Sequence, residues 1–193
     1  MIEIALEKYP VEMETEDGLR CVIRPMEQRD EDAIREFHLA VPEEERLSIK
    51  HRITDRALFH QWCRDIDYEL NLPLLILSGE KIIADGTLHQ RHAGWKRHIG
   101  LFSALVHPDF RGRGLVKVLI AEIVDIARHA GLTRLEAELT GEREGDIRAL
   151  LAADFDELVR LPDYVQDMHA VNHDYVLLGL NLLQSEKYMG VGD

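Results

Sequence analysis

Residues 99–131 constrain this 193-residue chain more than any other stretch. An apolar run over 99–106 is stopped by His107-Pro108, and a glycine loop, Arg111-Gly112-Arg113-Gly114, follows at once. Apolar residues then recur at 115, 116, 119, 120, 123, 124 and 127, which is the helical period held for more than three turns. Arg128 and His129 fall in the last turn, where the negative end of the helix dipole favours cations, and Gly131 is placed to stop the helix. A strand, a tight glycine turn and an amphipathic helix in this order bring helix N-terminal N–H groups next to backbone that a ligand can approach closely. With two arginines adding charge, the natural occupant is a phosphate-type anion. The loop lacks the Gly-Lys-Ser/Thr of a P-loop, and Lys117 stands where the dinucleotide fingerprint needs its third glycine. Taken alone, Gly-Arg-Gly also fits an ordinary strand-to-helix turn with solvated arginines.

The flanking sequence reads as alternating strands and helices. Two β-type runs, 11–14 and 20–23, flank the turn signal Thr15-Glu16-Asp17-Gly18, predicting a hairpin. Asp30 or Asp32 caps a helix carrying Ala33, Ile34 and Phe37. Pro42 breaks it, a further segment covers 44–53, and 55–67 reads as a helix with Leu58, Phe59, Trp62 and Ile66 on one face. Runs 72–77 and 82–88 around Gly79-Glu80-Lys81 predict two buried strands, and the basic stretch 90–97 a loop. After the long helix, Leu135, Ala137 and Leu139 alternate with Glu136 and Glu138, predicting a strand with one wet face. A helix over 142–153, an extended stretch over 159–166 and a last strand over 174–183 complete the pattern. The class is therefore α/β (α+β), with a mixed, mostly antiparallel sheet of about six to seven strands flanked by helices. One domain over 1–183 and a frayed tail over 184–193 are expected.

Composition narrows the function classes. A net charge of −13 argues against nucleic acid as the main partner and suits either a cationic acceptor or plain solubility. Two cysteines, Cys21 and Cys63, are too few for a disulfide framework, and no signal peptide or apolar run of about 20 residues is present, so a cytoplasmic, non-membrane protein is expected. No His, Cys or Asp spacing suggests a metal.

The stretch Val106-x-Pro108-x-Phe110-Arg111-Gly112-Arg113-Gly114-Leu115-x-x-x-Leu119 resembles the signature of the GNAT superfamily of N-acetyltransferases. The resemblance covers roughly 19–180, with Val22-Ile23-Arg24-Pro25 and Asp30 similar to the family's first strand and helix, and Ala152–Phe155 similar to the end of its fourth helix. The N-terminal half also resembles the acyltransferase domain of bacterial protein-lysine acetyltransferases. The resemblance implies acetyl-CoA as cosubstrate. Backbone groups of Leu105 and Val106 would pair with the pantetheine arm, and amides from Arg111 through Gly112, Arg113, Gly114 and Leu115 to Val116 would hold the pyrophosphate. A backbone N–H near Leu105–Val106 would stabilise the oxyanion. Three departures matter: Val116 replaces a Gly or Ala, no clear Asn lies near Arg143–Asp146, and Leu150 stands where a Tyr general acid is often found. The glutamate base of the protein-lysine acetyltransferases would fall at Leu101, which cannot take a proton.

An amine acceptor must lose a proton, so a base is expected. Glu136 is one candidate, with a solvated strand face as the alternative. Tyr164 is a candidate acid that could equally be packing, and Asp174 with Asn172-His173 is either a site cluster or a turn. His89 reads as surface. No paired nucleophile is evident, which favours direct transfer in a ternary complex. The predicted activity is acetyl transfer from acetyl-CoA to a small amine or a protein lysine; an acyl-CoA-binding sensor without turnover is the alternative. A homodimer is left open.

Overall fold

In a computed structural model, residues 2–46 and 55–183 are described. A short helix, α1 (Ile2–Leu6), precedes the hairpin β1 (Val11–Glu14) and β2 (Arg20–Pro25). Helices α2 (Glu31–Leu39), α3 (Glu43–Arg46) and α4 (Arg56–Arg64) follow. Strands β3 (Asn71–Ser78), β4 (Lys81–His89) and β5 (Ile99–Val106) lead into α5 (Leu115–His129). The chain then runs through β6 (Arg134–Thr140), α6 (Glu144–Leu151), β7 (Asp156–Gln166) and β8 (Asn172–Asn181).

The eight strands among the described residues join one sheet in the order β1-β2-β3-β4-β5-β6-β8-β7. Eight exceeds the six to seven expected, because β2 pairs with β3 and so carries the whole N-terminal hairpin into the sheet. Every pairing is antiparallel except β5 with β6, whose connection runs through α5. α1 is too short for its periodicity to stand out in sequence; it buries Ile2 and Ala5 in the same core as α5. Part of the segment expected over 44–53 lies outside the described residues, as does the tail 184–193.

The two sheet faces are covered differently. α5 buries Leu115, Leu119, Ile120, Ile123, Ile126 and Ala127 against one face, each fully buried Leu or Ile contributing about 1.5–3 kcal/mol. Its end is closed by Leu132 N–H donating to the Ala127 carbonyl at 2.9 Å, with Gly131 at φ +78°, as a left-handed helix stop requires. The opposite face carries α2 and α4 over β3 and β4, where Ile34, Phe37, Phe59 and Cys63 pack on Leu75, Leu77 and Ile82. α4 starts at Asp55, whose side chain accepts from Ala57 N–H at 2.9 Å. The remainder of that face, from β5 to β8, is the part left for chemistry.

Candidate active site

β5 and β6 are paired only from Ile99 with Arg134 to Leu101 with Glu136. Beyond that point β6 continues its pairing with β8 up to Thr140 and Tyr175, so a gap opens between β5 and β6. His107 N–H donates to the Ile83 carbonyl at 2.9 Å. In an antiparallel ladder alternate residues face the partner strand, so Ser103 and Leu105 turn their backbone groups to β4, and Ala104 and Val106 turn theirs into the gap. The Ala104 carbonyl accepts from the Arg143 guanidinium at 3.3 Å across that gap. Of the two residues expected to offer backbone groups, Val106 faces the gap, as does Ala104, while Leu105 turns its backbone to β4; Leu105 and Val106 both line the cavity.

The gap opens into a cavity of ≈ 670 Å³, with Leu105, Val106 and Gly114 to Lys117 on one wall and Arg143, Gly145, Asp146, Ala149 and Ala152 on the other. Gly112 and Gly114 have φ of +76° and +75°, a left-handed backbone that glycine adopts without a Cβ penalty. Gly114 is the N-cap of α5, and the first helical bond is Val118 N–H to the Gly114 carbonyl at 3.2 Å. The amides of Leu115, Val116 and Lys117 therefore precede the helix's own hydrogen-bonding and sit at the positive end of its dipole. Val116 is half-buried at the cavity wall.

Both loop arginines have carboxylate partners. Arg111 makes a two-pronged pair with Glu45 at 2.8 and 2.9 Å, tying α3 to the glycine loop, and Arg113 pairs with Asp17 of the β1–β2 turn. Glu45 itself lines the cavity, so an anion there competes with it for Arg111. Glu45→Gln is expected to tighten binding of a phosphate-bearing ligand by about three- to tenfold, since an exposed pair is worth about 0.2–1 kcal/mol and a like charge is also removed; calorimetric titration reads this directly.

On the face opposite α5, Glu136 lies at the root of the gap. It is only 8% exposed, beside Leu101 in register and 3.6 Å from the Lys96 ammonium, which corrects the reading of a wet strand face. Neighbouring strands and the loop before β5 cover it, which alternation alone does not reveal. Tyr164, by contrast, is 67% exposed near the far end of β7, its ring 5.8 Å from that of Tyr175. Tyr175 is the half-buried phenol of the two: burial, then Glu138, to which it is hydrogen-bonded, and Glu136 push its hydroxyl up to about 12. Asp174 holds backbone together, its Oδ1 accepting from Asp163 N–H at 3.2 Å and its carbonyl from Gly141 N–H at 2.9 Å. The fold thus brings Glu136 to the gap, leaves Tyr164 exposed beside Tyr175, and uses Asp174 at the irregular part of the β7–β8 pairing. Arg143, Ala104 and Tyr175 carry no sequence signal of their own, because their relevance comes from a pairing that ends early. Deeper on this face, burial raises Asp85 to about 7, and the His38 Nε2 lies 3.9 Å from its Oδ2.

The edge of the site is held by an ionic clamp. His173 Nδ1 lies 2.8 Å from Glu142, a cavity-lining residue, and its Nε2 lies 3.1 Å from Asp167. Glu142 first and Asp167 second raise the imidazole pKa, while hydrogen bonds to Val171 N–H and His173 lower that of Asp167. A group raised on folding adds stability that is fully present below its unfolded pKa of about 6.5 and is lost as pH rises through the folded value. Unfolding midpoints should therefore fall as pH rises above about 6.5, and His173→Gln should flatten that part of the profile.

The Acetyltransferase (GNAT) family model matches residues 31–153. The chain belongs to the GNAT acetyltransferase family. The matched span runs from α2 through the gap, the glycine loop and α5 to the end of α6. Among solved structures, ribosomal-protein-S5-alanine acetyltransferase from Vibrio fischeri shares 15% identity at TM-score 0.75, covering 89% of this chain and 96% of that one. The GNAT domain of PAT from S. lividans shares 17% identity at TM-score 0.75, covering 91% and 98%. YncA, a putative acetyltransferase from Salmonella typhimurium with its cofactor acetyl-CoA, shares 20% identity at TM-score 0.72, covering 84% and 94%. These likenesses show the GNAT fold. A search of curated proteins by sequence gives no match. Among the described residues, no helix is long and apolar enough to cross a membrane.

Proposed function

We propose that the chain transfers an acetyl group from acetyl-CoA to an amine, either a small amine or a protein lysine, by direct attack in a ternary complex. The observation that carries this reading is the gap between β5 and β6, which leads from the α5 N-terminus to Glu136 on the opposite face. The pyrophosphate lies on the amides that open α5, and the pantetheine arm pairs with Val106 as an added strand would, leaving the Ala104 N–H further into the gap for the acyl end. The thioester then reaches the root of the gap, where an in-plane N–H of β5 faces its carbonyl oxygen. Glu136 takes the proton of the acceptor amine, and the acidic surroundings, with Glu138 beside it, favour a cationic acceptor. Solved relatives whose names state an alanine of a ribosomal protein or spermidine as acceptor support an amine class without selecting one.

Release of free thiol from acetyl-CoA, measured over a panel of amines and lysine peptides, tests this reading. Turnover that depends on an amine, and falls about 10²-fold or more in Glu136→Gln with binding of acetyl-CoA retained, is the expected result. Binding with no amine-dependent thiol release would mark a sensor instead.

A further inference from the structure

A second constellation lies on the same sheet face as Glu136. The registers place Asn71 on β3 opposite His89 on β4, and His89 opposite Leu101 on β5, with Ser103 two residues further along. His89 Nδ1 is 2.7 Å from Asn71 Oδ1, and His89 Nε2 is 3.2 Å from Ser103 Oγ. An amide oxygen can only accept, so Nδ1 carries the ring proton and donates it to Asn71. Nε2 then presents its lone pair to the Ser103 hydroxyl, which donates to it. Hydroxyl, base and orienting amide thus follow one another at hydrogen-bond spacing on three adjacent strands, the arrangement that activates a serine nucleophile.

We propose that Ser103 is an acyl-accepting nucleophile, so that the chain also hydrolyses acyl-CoA thioesters when no amine occupies the site. This rests on the reading that the thioester lies in the β5–β6 gap. Ser103 is exposed, and it sits two residues, about 6.6 Å of strand, beyond the cavity-lining Leu105. Ala104, the residue after it, turns its N–H into the gap. The proposed hydrolysis sets the thioester oxygen on that amide, next in sequence to Ser103, and the amide following a nucleophilic serine is a recurrent kind of oxyanion donor.

The steps balance without any further reagent than water. Ser103 Oγ bonds to the carbonyl carbon as its proton passes to His89 Nε2. The tetrahedral intermediate collapses, the C–S bond breaks, and the CoA thiolate takes the proton back from His89. The acetyl ester on Ser103 is then attacked by water, which gives one proton to His89; acetic acid leaves, ionising in solvent, and the proton on His89 returns to Ser103 Oγ. An amine entering from the same face intercepts the thioester before the serine does, so the two reactions compete for one acyl group.

The full chain is mixed with acetyl-CoA and no amine, thiol release is followed in time, and the protein is mapped by peptide mass spectrometry. The expected result is thiol release with an acetyl group on the peptide containing Ser103. Ser103→Ala should lose both signals and His89→Gln should slow release about 10²-fold or more, each retaining acetyl-CoA binding. Should Ser103→Ala fold poorly, Ser103→Cys keeps a nucleophile and should carry a hydroxylamine-labile thioester in place of the ester. Equal release by Ser103→Ala, an acetyl group on any other residue, or an unlabelled Ser103→Cys overturns the proposal. Amine acetylation by a wild type that releases no thiol alone overturns it too and leaves the acetyltransferase reading standing, whereas failure to bind acetyl-CoA overturns both.

Discussion

Gly114→Glu is expected to weaken acetyl-CoA binding by more than about 100-fold, the difference between amides that attract an anion and a carboxylate that repels it, roughly 3 kcal/mol or more. Gly114 lines the cavity and caps α5, and among the described residues nothing lies within 4 Å of the position a Cβ would take. The new side chain therefore meets open space, but its backbone stays at φ +75°, which costs about 1–2 kcal/mol for a residue other than glycine. Gly114→Ala separates the two effects, because it carries the backbone cost without the charge. Calorimetric titration of both variants should show Gly114→Ala binding within about tenfold of wild type and Gly114→Glu showing no measurable heat. Equal losses in the two variants would move the pyrophosphate away from this helix start.

Asp30→Ala should cost about 3–5 kcal/mol of stability, the range for removing one partner of a buried pair. Asp30 is 5% exposed and joins three parts of the N-terminal half. Its carboxylate accepts from Arg24 at 2.6 and 2.7 Å and from Glu27 N–H at 2.8 Å, just ahead of α2. Burial opposes its ionisation, but Arg24 and the Glu27 amide outweigh that and hold the carboxyl below its usual value. Alanine leaves the Arg24 guanidinium, whose side chain is 14% exposed, without its counter-ion. For a domain of this size a loss of that order lowers the melting temperature by about 10 °C. The same linkage predicts that stability from this pair is present above about pH 4 and is lost as pH falls through the lowered value. A melting temperature within about 2 °C of wild type would mean that the pair is solvated in solution.

How far the chain could be read from sequence depended on whether the relevant contact was local. α5 was legible because its apolar period, its glycine start and its Gly131 stop all lie within one stretch, and each has a geometric counterpart. The β1–β2 hairpin was legible for the same reason. Alternation along β6 identified the face that Glu136 occupies but not what covers it, because Lys96 and the neighbouring strands come from elsewhere in the chain. The gap itself is a pairing that stops at Leu101 and Glu136, and no residue type announces such a stop. For the same reason Arg143 read only as the place of a missing asparagine, although its guanidinium reaches the Ala104 carbonyl. His89 read as surface because Asn71 and Ser103 are 18 and 14 residues away, on the strands either side of it.

The central claim is that acetyl-CoA lies between β5 and β6 with its pyrophosphate on the start of α5. Amide hydrogen exchange with and without saturating acetyl-CoA tests it most directly, since both contacts are made by backbone N–H groups. Protection concentrated at 104–106 and 112–118, with β1, β7 and the far end of β8 unchanged, is the predicted pattern. Binding without protection in either stretch, or protection centred elsewhere on the sheet, would contradict it.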